Sequence, residues 1–338
     1  MAIVLPPVVA VITAASRCNR YVRVISSYEH GEEGMNMAFR IVVFFLLVCI
    51  ATIRVGEAQT LPGGLIIDHN AVRDFDFIPP LYLEASKQLT LHYAHTSHGS
   101  QIISGIFALE AVDSAYSVTV REDVTEGLPP AETPVALRIY DGNPPNTYIT
   151  PDLYWDGTSG MNATRGVANT GHYNFSMWSW CGQQSSNSTA TVNSYLANLN
   201  QLESEYPNMR FIFFTGHTDG TDTPSTPETL KYNNELVRQY ARDHDKIVFD
   251  FADIESWDPA GNYYPNTGNP DGACNWCAQW CTDHPSDCQN LTGSCAHTHP
   301  YNCKLKAKAF WYMMARLAGW NGGTVTTPPA APMGLSVN

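Results

Sequence analysis

Residues 89–105, with the sequence LTLHYAHTSHGSQIISG, join a strand-like segment to a helix-like one. Apolar and aromatic side chains at Leu89, Leu91 and Tyr93 alternate with polar ones, a period of two that is typical of a β-strand. Polar residues and a glycine follow, and an apolar run from Ile102 then predicts a helix. A strand whose polar end leads into a helix N-terminus is where α/β enzymes hold nucleophiles and anions. The stretch therefore predicts an α/β fold with a site at the end of this strand.

Three later segments repeat this order, since each is an apolar strand-like run that ends in polar residues. Strands this apolar, alternating with helices, indicate a parallel sheet that helices cover on both faces. Open α/β sheets bind ligands at the carboxyl ends of their strands, so the polar clusters are expected at that edge. The strand-like segments are residues 172–183 (HYNFSMWSWCGQ), 210–220 (RFIFFTGHTDG) and 246–255 (KIVFDFADIE). Helices are predicted over about residues 190–206, 227–244 and 304–320.

The N-terminal region has the pattern of an export signal. Arg40 precedes the apolar run IVVFFLLVCIATI, and small residues around Ala58 follow it. A membrane-spanning helix needs about 20 apolar residues, and this run is shorter. We therefore expect a signal peptide over residues 37–58 and a secreted protein, extracellular or periplasmic. Residues 1–36 are interpreted as an extension from an upstream start codon chosen in error.

Composition and charge narrow the classes of partner. Of the 338 residues, 44% are hydrophobic and 15% are charged, which is typical of a globular protein with a sizeable core. The net charge of −13 argues against nucleic acid and against an anionic membrane surface as partners. After signal cleavage we expect no membrane contact and no cofactor, whereas neutral substrates such as polysaccharides stay compatible with this charge.

The cysteines concentrate near the C-terminus. The spacing Cys274-x-x-Cys277 would fit a zinc ribbon in a reducing compartment, but export favours disulfides. The count beyond the signal segment is odd, which leaves one thiol free, buried or paired between chains. The cysteines of this part are Cys181, Cys274, Cys277, Cys281, Cys288, Cys295 and Cys303.

Two further segments differ from the rest in composition. Residues 256–294 are a long insertion rich in Gly, Pro, Trp and Cys, and insertions of this length are usually functional lids or stapled subdomains. Residues 322–338 look like a linker followed by the truncated start of a fibronectin type III-like module. The sequence between the signal peptide and this linker, residues 59–321, is expected to be one α/β domain.

Ser97 and His297 are the candidate catalytic pair. A serine hydroxyl is a weak nucleophile until a base takes its proton, and backbone amides near a helix start stabilise an oxyanion. Ser97 lies where such a site would form, and His297, in SCAHTHPYN, precedes the last predicted helix. The alternative role for Ser97 is to cap the helix that follows it, as serine often does.

The order of these polar segments resembles that of the SGNH (GDSL-like) hydrolases, over most of residues 85–320. WSWCGQ, TGHTDG, DFADIE and AFWYMMARLAGW are similar to segments of a divergent exported bacterial group of this family. The resemblance implies a flavodoxin-like α/β/α three-layer sandwich with a disulfide-rich insertion. It also implies Ser97 as nucleophile and His297 as base, with the N–H groups of Ser97 and Gly182 stabilising the oxyanion.

Two positions depart from the family pattern. In Gly216-His217-Thr218-Asp219 the family's Asn is missing, so the resemblance implies Thr218 or His217 as the third oxyanion donor. Ser294 stands where the family has Asp, three residues before His297. An acid partner for His297 would then come from elsewhere. The candidates are Asp253, Asp283 and Asp287.

These features predict a secreted serine esterase that acts on an ester-bearing small molecule or removes acyl groups from a polysaccharide. Trp276 and Trp280, in the insertion, are candidates for the wall of a carbohydrate cleft. Aromatic packing around disulfides is an equal alternative for both tryptophans.

Two other classes of function fit the same residues. A metal-dependent enzyme would gather His and Asp side chains at one sheet edge as ligands for zinc or copper. A non-catalytic carbohydrate-binding or surface protein would carry a decayed SGNH site, consistent with the missing Asp and Asn. Bound metal would identify the first class, and glycan binding without turnover the second. The candidate metal ligands are His95, His98, His217, Asp219, His297 and His299.

Overall fold

The strands form one all-parallel sheet. The computed structural model describes residues 64–122, 127–219, 229–264 and 274–323. The strands of this part are β1 (Leu65–Ile67), β2 (Thr90–His95), β3 (Val118–Arg121), β4 (Leu137–Asp141), β5 (Phe175–Ser179), β6 (Arg210–Phe214) and β7 (Ile247–Phe249). They lie in the order β1-β7-β6-β5-β2-β4-β3, and every pairing is parallel. The central strands are buried along their whole length, which explains their continuous apolar sequences.

Helices cover both faces of this sheet. They are α1 (His69–Arg73), α2 (Pro80–Ser86), α3 (Ser100–Glu110), α4 (Gly157–Ala168), α5 (Thr189–Glu205), α6 (Leu230–His244), α7 (Phe251–Ser256), α8 (Cys277–Asp283) and α9 (Pro300–Leu317). Helix α9 packs against α1, α2, α3 and α7, whereas α5 packs against α4 and α6. The predicted three-layer α/β/α sandwich is confirmed.

The central strands have the chain order of flavodoxin-like folds. Strand β2 pairs with β4 on one side and with β5 on the other, and β6 and β7 follow beyond β5. In such sheets a crevice opens at the carboxyl ends where the strand order reverses, and ligands bind there. The reversal lies between β2 and β5, so the residues that follow these two strands face the predicted binding edge.

Helix α9 differs at both ends from the prediction of residues 304–320. It begins at Pro300, because proline is favourable at a first helical position and the His299 side chain accepts a hydrogen bond from the N–H of Tyr301. It ends at Leu317, since Gly319 has a φ of 108° that a continuing helix does not allow. Most of α9 is buried, including Trp311.

The described part of the insertion contains α8 and two disulfides, and a third disulfide follows directly after it. The bonds are Cys274–Cys277, Cys281–Cys288 and Cys295–Cys303, and Cys181 is a free cysteine. The zinc-ribbon alternative for Cys274-x-x-Cys277 is therefore wrong, and the disulfide prediction is confirmed. Disulfides of this number are typical of proteins folded in an oxidising compartment.

Several predictions fall on residues outside those described. These are the N-terminal extension, the signal peptide and the fibronectin type III-like start beyond residue 323. Among the described helices, none combines the length and the apolar composition that crossing a bilayer requires.

Candidate active site

The loops after β2 and β5 bring Ser97, His98 and Cys181 together. His95 and Ser179 are register partners at the ends of these strands, and Ser97 and Cys181 each lie two residues further along the chain. The site is therefore at the carboxyl edge of the sheet, where the strand order reverses. Ser97 and Cys181 are half-buried and His98 is buried. The location agrees with the prediction from residues 89–105, but the cysteine was not among the predicted site residues.

Cys181 and His98 form a thiol–imidazole pair. The Nδ1 atom of His98 lies 3.1 Å from the Sγ atom of Cys181. Burial alone would raise the pKa of the Cys181 thiol, but the hydrogen bond and the charge of His98 outweigh it and lower this pKa to about 6. At neutral pH the sulfur is then largely thiolate, the form of cysteine that acts as a nucleophile.

Ser97 lies beside the same sulfur. Its Oγ atom is 3.7 Å from the Sγ atom of Cys181, a long contact in which either atom can be the donor. The Ser100 hydroxyl donates to the carbonyl oxygen of Ser97 and holds the start of α3. The sequence predicts that Ser97 pairs with His297. In the hydrogen bonds of the described residues, the Ser97 hydroxyl instead contacts the sulfur of Cys181.

Three histidine rings stack across the site. The ring of His98 lies between those of His217 and His297, with centroid distances of 3.8 Å and 4.4 Å and interplanar angles of 5° and 12°. His217 is buried, whereas His297 is exposed and has a φ of 61°. The two outer rings fix the plane of His98, and the edge of that plane is directed at Cys181.

His217 is held as the Nδ1–H tautomer. Its Nδ1 atom lies 2.6 Å from the carbonyl oxygen of Thr218, which can only accept, so Nδ1 carries the proton and donates. Burial and the neighbouring His98 both lower the pKa of His217, which keeps the ring neutral. Its Nε2 atom is buried and has no hydrogen-bond partner among the described residues.

The oxyanion donors predicted in this loop have hydrogen-bond partners within the protein. Both the N–H and the Oγ1–H of Thr218 donate to the Glu255 carboxylate. His217 uses its one ring N–H on Thr218. These hydrogen bonds occupy the donors of Thr218 and His217 that the resemblance implies for an oxyanion. The N–H groups of Ser97 and Gly182 stay predictions.

Hydrogen bonds link a buried ion pair to the loops that carry His217 and His297. The Nζ atom of Lys306, on α9, lies 2.6 Å from Oε2 of Glu255, on α7, and both side chains have no exposed surface. Lys306 also donates to Gln101, whose amide donates to the carbonyl oxygen of Ala296, next to His297. Hydrogen bonds thus connect this ion pair to Thr218, the neighbour of His217, and through Gln101 to the loop that carries His297.

The predicted acid partners of His297 are engaged elsewhere. Asp253 accepts hydrogen bonds from His69 and from Trp257. Asp283 is exposed and accepts from Gln279, and Asp287 accepts from the indole of Trp280. Each of the three thus has a hydrogen-bond partner of its own, and an acid partner for His297 stays a prediction.

The two predicted cleft tryptophans have structural contacts. Trp276 is buried and its indole N–H donates to the carbonyl oxygen of Glu255. Trp280 is half-buried and stacks on His284 at a centroid distance of 3.8 Å. Trp276 is a core residue, which corrects its assignment to a substrate cleft.

Of the predicted metal ligands, His98, His217 and His297 stack together, whereas other members of the set have separate contacts. His95 pairs with Asp141 at 3.0 Å, and His299 caps α9. Among the described residues, the group of three whose ligand atoms all lie within 4.8 Å of one another is Asp68, His69 and Asp253. A cavity of about 610 Å³ lies beside His69, toward the β1 end of the sheet. It contains no thiol and none of the stacked histidines.

The sequence contained one indication of Cys181. It is the odd cysteine, and it lies two residues after the buried strand β5, which ends at Ser179. No local pattern relates it to His98, which is 83 positions away in the chain. No family model matches this chain, and no curated protein and no solved structure matches it either.

Proposed function

We propose that this protein is an exported hydrolase of acyl esters that works through a thioester at Cys181. The observation that carries the proposal is the 3.1 Å contact between the His98 ring and the Cys181 sulfur, at the sheet edge where α/β folds bind ligands. A thiolate paired with a buried imidazole is an activated nucleophile, whereas a structural buried cysteine is inert.

The chemistry follows from this pair. The Cys181 thiolate attacks the ester carbonyl carbon, and the bond from that carbon to the alkoxy oxygen breaks. The protonated His98 gives its proton to the departing oxygen, so that an alcohol leaves and the acyl group stays on sulfur. Water then cleaves the thioester and releases the acid. No metal takes part in these steps.

A mechanism in which Ser97 is the nucleophile, as the sequence predicts, is the second candidate for the same ester hydrolysis. The Ser97 hydroxyl lies 3.7 Å from the sulfur, so either oxygen or sulfur would attack a carbonyl bound at the same place. The resemblance to SGNH hydrolases favours Ser97. The position of the base favours Cys181 as the nucleophile, because the imidazole of His98 lies beside the Cys181 sulfur.

The substrate class and the location rest on broader properties. The disulfides and the predicted signal peptide favour a secreted protein. The net charge of −13 favours neutral substrates, and acylated polysaccharides are the neutral esters that we expect an exported hydrolase to meet.

Hydrolysis of p-nitrophenyl acetate by the full chain tests the proposal. Cys181→Ala should lower kcat/KM by at least about 1000-fold, and Ser97→Ala by about 10-fold or less, since loss of a covalent nucleophile removes the main route. The activity should survive a chelator. A Ser97→Ala variant as inactive as Cys181→Ala would favour the serine route, and an inactive native protein with intact disulfides would contradict both.

A further inference from the structure

We propose that His217 is a second general base, which deprotonates the water that cleaves the thioester on Cys181. This inference rests on the proposed function, because it assigns the residue that acts after the acyl group has reached the sulfur. His98 serves the first half of the reaction and His217 the second.

The hydrogen bond of His217 at Nδ1 leaves its Nε2 atom as the one that can accept a proton. Nδ1 donates to the carbonyl oxygen of Thr218 at 2.6 Å, so the lone pair of the neutral ring is on Nε2. This atom is buried and has no hydrogen-bond partner among the residues that the structure describes. A buried acceptor without a partner costs free energy, and a water or substrate proton at that position would satisfy it.

The space that Nε2 borders is next to the nucleophile. Gly182, which follows Cys181, is exposed, and a Cβ atom built on it would lie 3.7 Å from Nε2 of His217. Apart from the chain neighbours of Gly182 and the backbone of the short helix that it begins, no other described heavy atom lies within 4 Å of that position. His217 Nε2 is therefore the atom nearest to the position that a side chain at residue 182 would occupy, beside the nucleophile, and this is where we place the hydrolytic water.

The backbone that orients His217 is fixed by the buried ion pair. The N–H and hydroxyl of Thr218 bind Glu255, and Glu255 in turn binds Lys306. The carbonyl oxygen that accepts from His217 belongs to the same residue, Thr218. A general base has to be positioned as well as neutral, and these contacts hold the ring so that Nε2 faces the Gly182 space.

The hydrolytic step transfers the acyl group from the sulfur of Cys181 to water. Water gives one proton to Nε2 of His217, and its oxygen bonds to the thioester carbon. The bond from that carbon to sulfur then breaks, and the thiolate of Cys181 returns. The carboxylic acid that forms gives its remaining proton to His98, which restores the imidazolium, and His217 releases its proton to solvent. The sum is one ester and one water converted to an alcohol, a carboxylate and a proton.

Stopped-flow kinetics with p-nitrophenyl acetate separates the two halves of the reaction. His217→Asn keeps a side-chain N–H for the carbonyl of Thr218 but removes the Nε2 base. In this variant the burst of p-nitrophenol, one per Cys181, should keep its rate, while steady-state turnover should fall by about 100-fold or more, the usual contribution of a general base. Acyl-enzyme should accumulate.

Two glycine substitutions test the role of the space beside Gly182 without replacing a histidine. Gly182→Ala places a methyl group at van der Waals distance from Nε2 and should slow turnover after an unchanged burst. Gly166→Ala, on α4, should change neither phase, because beyond its chain neighbours and its own helix backbone no described atom lies within 4 Å of the added methyl.

Three results would overturn the inference. Equal losses of burst and turnover in His217→Asn would mean that His217 only supports His98. Unchanged turnover in His217→Asn would mean that another base activates water. If the native protein itself gives no burst and no acyl-enzyme, the proposed function fails, and the inference fails with it.

Discussion

The ring of His98 lies parallel to the ring of His217, with a centroid distance of 3.8 Å and an interplanar angle of 5°. His297 covers the opposite face of His98, so this ring cannot tilt without displacing a neighbour. Its Nδ1 atom is thereby held against the sulfur of Cys181. The environment of the Cys181 thiol therefore depends on residues from several loops at this edge of the sheet.

Alkylation of Cys181 should follow a pKa near 6. Because His98 lowers the pKa of the thiol to about 6, the rate with iodoacetamide should be constant above about pH 7 and fall roughly tenfold per unit below about pH 6. The measurement is the initial alkylation rate from pH 4.5 to 9.5. His98→Asn should move the midpoint toward the ordinary thiol value. A native midpoint at pH 8 or above would contradict the thiolate–imidazolium pair.

Breaking the buried ion pair should destabilise the fold. Glu255→Gln leaves the Lys306 ammonium without its carboxylate partner and should lower the free energy of unfolding by about 3–5 kcal/mol. Urea denaturation at pH 7 with intact disulfides measures this change. Glu235→Gln, which removes a more exposed carboxylate on α6, should change the same quantity by less than about 1 kcal/mol. Equal effects of the two changes would contradict the assigned role of Glu255.

The close approach of α3 and α9 should not tolerate a side chain at Gly105. A Cβ atom there would lie 2.1 Å from the carbonyl oxygen of Cys303, a contact that forces the helices apart. Gly105→Ala should therefore cost at least about 1–3 kcal/mol of stability. Gly166→Ala is the matched control, since it adds the same methyl group to a helix in open space and should be neutral or stabilising. Thermal unfolding of both variants decides the point.

The Cys295–Cys303 disulfide should matter more for the site than Cys281–Cys288 does. It anchors the loop that carries His297 to α9. Replacing either pair by alanine should cost roughly 2–3 kcal/mol, the cost expected for loops of this length. Only loss of the Cys295–Cys303 pair should slow alkylation of Cys181, because the His297 ring would no longer cover His98. Equal alkylation rates in both double variants would contradict this role.

The sequence predicted the parts of the fold that local patterns determine. The apolar runs at residues 211–214 and 247–249 predict strands, since a sheet covered on both faces needs apolar strands, and the structure has β6 and β7 there. The start of α9 was placed four residues late, since the capping contact of His299 is a property of geometry rather than of periodicity. The short edge strand β1 has too little sequence to form a recognisable pattern.

The sequence named most residues of the candidate site, among them Ser97, His98 and His217, but it did not indicate that Cys181 is the partner of His98. The polar end of β2 indicated the correct edge, whereas the partner of His98 comes from the loop after β5, 83 positions later. Packing between loops determines which histidine ring faces the sulfur of Cys181. The spacing of residues along the sequence gives no information about this packing. The same limit explains why Asp253 was proposed as a partner for His297 although it binds His69.

The most direct test of the central claim is the site of acylation. The full chain is mixed with p-nitrophenyl acetate, quenched in acid within milliseconds, digested and analysed by mass spectrometry. We predict an acetyl group on Cys181 that hydroxylamine removes, present in Ser97→Ala and absent in Cys181→Ser at the same time point. An acetyl group on Ser97 in the native protein, with Cys181 unmodified, would contradict the account.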